Sequence, residues 1–120
     1  MDKGIIINNI ISDLKEQGVD KIYASKLGYE STYAIRLKNS KVGFYPDIIS
    51  TKDGVIDIFS IETSIEKKVS KKDIERWRLY HIFAKANKGN LFIAGTPHNL
   101  SLIKKSLETI PNNLKFIHLV

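Results

Sequence analysis

The run from Pro46 to Ser64 constrains the fold more than any other, because it contains two β-rich segments around Lys52-Asp53-Gly54. An Asp-Gly pair between β-branched runs is a hairpin signal, since the tight turn demands residues that tolerate positive φ. The hairpin returns the chain antiparallel and brings Asp47, at the start of the first strand, to the same end as Glu62, near the end of the second. Side chains alternate along a strand, so Ile56, Ile58, Ser60, Glu62 and Ser64 share one face. Asp57 points the other way with Phe59 and Ile61 and is excluded as a partner of Glu62. Asp47 shares a face with Ile49 and Thr51. Two carboxylates meeting at a sheet edge can hold a hard divalent cation. A glutamate that closes an apolar run is costly to bury alone, so a metal or a basic side chain is expected beside Glu62.

The remaining chain alternates helix and strand patterns. Ile6, Ile10, Ile11 and Leu14 recur at helical spacing, predicting a helix over residues 4–17 that ends at Gly18. Residues 21–26 and 32–37 read as strands, with Glu30 in the loop between them. Ser70 is a good N-cap and Asp73 suits a first turn, predicting a helix over 71–87 that stops at Gly89. Its apolar arc holds Ile82, Ala86, Leu79, Phe83, Tyr80, Ala84 and Trp77, with Lys72 and Arg76 also inside it, so both cations are expected to face the sheet near Glu62. The opposite stripe is Arg78, His81, Lys85 and Lys88. A strand over 91–95 follows, then a helix begun by His98 or Asn99, carrying Leu100, Ile103, Leu107 and Ile110 and ended by Pro111. A last strand runs over 114–120, and a right-handed crossover makes it a parallel neighbour of 91–95.

A Pro46-Asp47 start, a hairpin, an apolar strand ending in Ile61-Glu62 and a following helix together resemble the PD-(D/E)XK nuclease superfamily, over roughly residues 5 to 95. The resemblance implies an α/β fold with a restriction-endonuclease-like αβββαβ core, a mixed central sheet flanked by helices, and here a C-terminal αβ extension. It implies Mg²⁺ or Mn²⁺ held by Asp47, Glu62 and the Thr63 carbonyl. The superfamily lysine belongs two residues after the glutamate, where this chain has Ser64. Some branches supply that cation from the helix, which leaves its role open among Lys72, Arg76 and Lys67. Many members also carry a glutamate in the first helix, where this chain has Ile6, Ile7 and Asn8. Two expectations follow. One is a metal-dependent DNA endonuclease of repair, recombination or defence, with Asp47, Glu62, Lys72 and Arg76 in its site. The other keeps the fold without catalysis and binds nucleic acid or serves as an assembly subunit. Superfamily members of this size usually need a partner to enclose a duplex, so a homodimer or a larger complex is expected.

The charge balance fits either expectation. The 120 residues carry 19 basic against 13 acidic side chains, a net charge of +6 that favours a polyanionic partner. DNA is expected ahead of RNA, with Lys67, Lys68, Arg78 and Lys85 as contacts. The length fits a single domain over residues 1–120. The absence of cysteine excludes disulfides and thiolate metal sites. No apolar run approaches the ~20 residues of a membrane span and no targeting segment is apparent, so a cytoplasmic protein is expected. Nucleophile-elbow, phosphate-loop and dinucleotide patterns are missing, and His81, His98 and His118 lack metal-ligand spacing.

Overall fold

The computed structural model describes residues 2–63 and 68–119. Its elements are α1 (Lys3–Glu16), β1 (Lys21–Ala24), β2 (Ile48–Lys52), β3 (Val55–Glu62), α2 (Lys71–Ala86), β4 (Leu91–Gly95), α3 (Pro97–Ser106) and β5 (Leu114–His118). The hairpin forms at the expected place. Asp53 and Gly54 have φ of 52° and 82°, and Lys52 pairs with Val55. One five-stranded sheet results, in the order β1-β2-β3-β4-β5. The β1-β2 and β2-β3 pairs are antiparallel, and the β3-β4 and β4-β5 pairs are parallel.

Strand alternation divides the core into two layers. Ile48, Phe59 and Ile61 meet Ile6, Ile7, Ile10, Ile11 and Leu14 of α1 on one face. Their sequence neighbours Ile49 and Ile58, with Leu91 and Ile93, pack on the other face under Trp77 and Tyr80 of α2 and Leu100 and Ile103 of α3. Helices therefore cover both faces of a mixed sheet. No helix among the described residues is long and apolar enough to cross a membrane.

The boundaries differ from expectation at several places, and β5 stops at His118, short of the expected end. Residues 32–37 form no strand of the sheet: Ile35 makes an isolated bridge with Phe44, and both side chains are buried in the α2-side core. That stretch packs on the face of the sheet and pairs with the chain that returns toward β2. β1 ends at Ala24, where the next residue's amide bonds the Asp47 carbonyl. α3 begins at Pro97, earlier than expected, because the Thr96 hydroxyl is the N-cap and accepts from Asn99 N at 3.3 Å. It also ends earlier, with Leu107 extended but still packed on the core and Ile110 exposed. At the end of α2 the left-handed residue is Lys88, at φ 63°.

Gly89 has a different role. A Cβ there would collide with the Ile56 carbonyl, where the turn after α2 docks on the start of β3. Ile56 N donates to Asn87 O, Ile58 N to Asn90 O, and Asn90 N to the Asp57 carboxylate at 2.8 Å. Gly89→Ala is thus expected to unfold the domain or cost several kcal/mol, since backbone must move. Lys88→Gly should be neutral or stabilising by up to about 1 kcal/mol, because it relieves left-handed strain. Urea denaturation of the two variants checks the contrast.

Candidate functional site

The carboxylates of Asp47 and Glu62 come together at one end of the sheet, on the α2 side. β3 puts Glu62 on the same face as Ser60 and Ile58, and the residue is only 8% exposed. Three donors converge on its Oε1. Trp77 Nε1 lies at 2.8 Å, Ser60 Oγ at 3.2 Å and Arg76 Nη2 at 2.6 Å. Arg76 also donates from Nη1 to Ser60 Oγ at 2.9 Å and from Nη2 to Asp73 Oδ1 at 3.1 Å. Behind Glu62, the buried Asn99 donates Nδ2 to the Glu62 carbonyl at 2.9 Å. Gly95 keeps that approach open, since an added Cβ would sit 3.3 Å from the same carbonyl oxygen.

Asp47 completes the sheet where backbone pairing stops. The Pro46 carbonyl accepts from Thr32 Oγ1 at 2.7 Å, while Ile61 N donates to Asp47 Oδ2 at 2.7 Å. The other oxygen, Oδ1, pairs with Lys3 Nζ at 2.8 Å. Lys3 belongs to the first turn of α1, the helix on the opposite face, and reaches Asp47 at the end of the sheet.

The electrostatics follow from these pairings. Burial works against the Arg76 charge, but the Glu62 carboxylate and the bonds to Glu62 and Asp73 outweigh it and raise its pKa. Burial opposes ionisation of Asp73 too, yet Arg76 and the Ser70 cap hold its carboxyl below the usual range. Ser70 and Asp73 form a reciprocal capping box that fixes the first turn of α2. Tyr80, fully buried beneath the pair, has its hydroxyl pushed up to about 12 by burial; Arg76 opposes the rise, and the charges of Asp47 and Glu62 add to it.

The expected site residues separate. Arg76 is brought onto Glu62, and Asp47 accepts from the amide of Ile61, the residue before Glu62. Lys72 is exposed, one turn before Arg76, instead of facing the sheet. Thr63 follows Glu62 at the end of β3 and is partly buried, while Ser64 and Lys67 lie outside the described residues. Lys68, Arg78 and Lys85 are exposed. Glu30 is remote from the pair, bound to Lys21 at 2.6 Å. His98 is exposed in the first turn of α3. Four residues that hold the carboxylates or the backbone beside them escaped the sequence reading: Lys3, Ser60 and Trp77 on the carboxylates, and Asn99 on the Glu62 carbonyl. Two of them carried a signal. Ser60 is a polar residue on the Glu62 face of an apolar strand, and a buried Trp77 needs a partner for its indole N–H.

The donor set does not fit a resident divalent cation as arranged. Both oxygens of Asp47 and the Oε1 of Glu62 already accept from protein donors, which leaves Glu62 Oε2, of these four oxygens, without a partner among the described residues. No three His, Cys, Asp or Glu side chains gather into a metal-binding group among the described residues. Lys3 and Arg76 supply the positive charge that a metal would otherwise bring.

Two measurements probe this arrangement. Arg76→Met leaves Glu62 buried without its counter-ion and should cost on the order of 3 kcal/mol in urea denaturation. Adding Glu62→Gln should recover part of that loss, which a double-mutant cycle reads. For Tyr80 the folded pKa lies above the unfolded value of ~10, so its contribution is intact below pH ~10 and is lost as the pH rises toward 12. Tyr80→Phe should therefore flatten the alkaline limb by about 2–3 kcal/mol relative to the parent protein. Parallel stability curves for the two proteins would contradict the assignment.

Comparison of the chain with protein-family models, with curated proteins and with solved structures finds no match to any of them.

Proposed function

We propose that the chain is a nucleic-acid-binding domain of restriction-endonuclease-like fold whose carboxylate pair is neutralised by protein cations in place of a metal ion. One observation carries this reading: Arg76 Nη2 stands 2.6 Å from the Glu62 oxygen that Trp77 and Ser60 also engage. The first helix adds Lys3 to Asp47, a cation at the pair where many members of the resembled superfamily bring an acid. The element order and the mixed sheet support the fold assignment, with α1, an antiparallel β1-β2-β3, then α2 and a parallel β4. The net charge of +6 and the exposed Lys68, Lys72, Arg78 and Lys85 support a polyanionic partner, with DNA the first candidate. Assembly as a homodimer or within a larger complex, in the cytoplasm, belongs to the same proposal.

A second reading is a metal-dependent endonuclease. The convergence of Asp47 and Glu62, with Thr63 beside them, favours it. It requires Arg76 and Lys3 to leave the carboxylates, and Lys3 is half exposed. Binding and cleavage are measured together, on supercoiled plasmid and branched DNA with and without Mg²⁺ or Mn²⁺. The expected result is salt-sensitive, metal-independent binding without nicking. Asp47→Ala/Glu62→Ala should not abolish that binding. Arg78→Ala/Lys85→Ala should flatten its salt dependence, by about one unit of slope for each phosphate that is no longer neutralised. Metal-dependent nicking that disappears in the Asp47→Ala/Glu62→Ala protein would establish the second reading instead. Absence of any binding would remove both.

A further inference from the structure

The chain between β1 and residues 32–37 surrounds an open recess of about 610 Å³, within the ~300–1,000 Å³ range of ligand sites. Ser25, Lys26, Tyr29, Ser31, Thr32 and Tyr45 line it. A smaller recess of about 270 Å³ shares Ser25 and Lys26 and continues to the first turn of α1. The two adjoin through Ser25 and Lys26, and Ser25 N donates to the Asp47 carbonyl at 3.0 Å.

The walls are held by backbone bonds and need no folding on contact. Ala24 N donates to Glu30 O at 2.9 Å, Tyr29 N to Lys26 O at 3.2 Å, and Thr32 Oγ1 to Pro46 O at 2.7 Å. Tyr45 stands between the buried Phe44 and Pro46, which turns its ring out to 69% exposure. Leu27 at the rim is 98% exposed. Two cations stand beside Tyr29, with Lys15 and Lys26 5.4 and 5.6 Å from its ring centroid, while Asp2 lines the far end of the smaller recess.

We propose that this groove binds a single-stranded nucleic-acid segment, with an unpaired base stacked on Tyr45 and a backbone phosphate at Lys26. The inference rests on the nucleic-acid reading above and adds to it a substrate class. Stacking requires a base with a free π-face, which an intact duplex does not offer, and an exposed aromatic that shares a recess with a lysine suits such a strand without sequence preference. The groove runs from Tyr45 past Ser25 and Lys26 to the first turn of α1, and the strand would follow that course.

The test uses fluorescence anisotropy with a labelled oligothymidylate of about 12 nucleotides, within the usual site sizes, and a matched duplex as control. The parent protein should prefer the single strand. Tyr45→Ala should weaken single-strand binding roughly 5- to 150-fold, corresponding to the loss of one stacked base, while duplex binding stays within twofold. Tyr45→Phe should restore it, because the ring is kept. Lys26→Ala should reduce the single-strand salt slope by about 0.7, the value for one phosphate. Tyr45 is exposed, so its substitutions should leave the circular dichroism spectrum and urea midpoint unchanged. If Tyr45→Ala binds the oligothymidylate as the parent does, or loses single strand and duplex equally, the inference fails while the nucleic-acid reading stands. Unchanged affinity together with a shift from dimer to monomer would reassign the patch to self-association. A parent protein that binds neither probe overturns both.

Discussion

The placement of the Glu62 charge governs the architecture. A carboxylate at the end of the middle strand, almost out of contact with water, must be supplied with donors by whatever packs around it. α2 supplies Trp77 and Arg76, β3 supplies Ser60, and α3 secures the backbone through Asn99. The geometry of α2 over the sheet is therefore set by apolar packing and also by the need to put two specific donors on one oxygen. The capping box at Ser70 and Asp73 fixes where the helix starts, and Asp73 holds the other side of the Arg76 guanidinium.

Asp47 solves a related problem at the neighbouring strand. Pro46 interrupts the ladder, and its carbonyl is taken by Thr32, so the Ile61 amide would lack an acceptor. The Asp47 side chain takes its place, and Lys3 neutralises the charge that results. The pair of acids that suggests chemistry in the sequence thus forms part of the joint between α1, β2, β3 and α2. Adding a divalent cation would displace lysine and arginine and leave their charges to be accommodated elsewhere.

Much of this is legible without the structure. The turn, the faces of β2 and β3, the exclusion of Asp57 and the inward direction of Arg76 follow from period-two and 100° repeats, which depend only on local backbone geometry. The start of α2 is equally readable, since Ser70 and Asp73 are close in sequence. What escapes depends on where elements end relative to one another. Lys72 falls in the same angular sector as Arg76, yet one turn earlier it emerges into solvent. Lys3 meets Asp47 only because α1 and the sheet terminate at the same level, and no local pattern records that. Residues 32–37 alternate as a strand does, but the alternation belongs to a segment on the face of the sheet that buries Ile35 against α2. Gly89 reads as a helix stop, but its physical role differs: it permits contact with β3, while Lys88 takes the left-handed turn.

The order of strands leaves the sheet with two unlike borders. On the β1 side, the chain folds back so that Glu30 bridges Tyr23 and accepts from the Ala24 amide, which blocks part of the outer row of hydrogen-bonding groups. On the far side, no described strand pairs with the outer side of β5. That border is short, five residues, and carries the exposed Lys115 and His118, features that discourage a stray strand from joining. Protection from unwanted strand addition is thus backbone-made at one border and side-chain-made at the other.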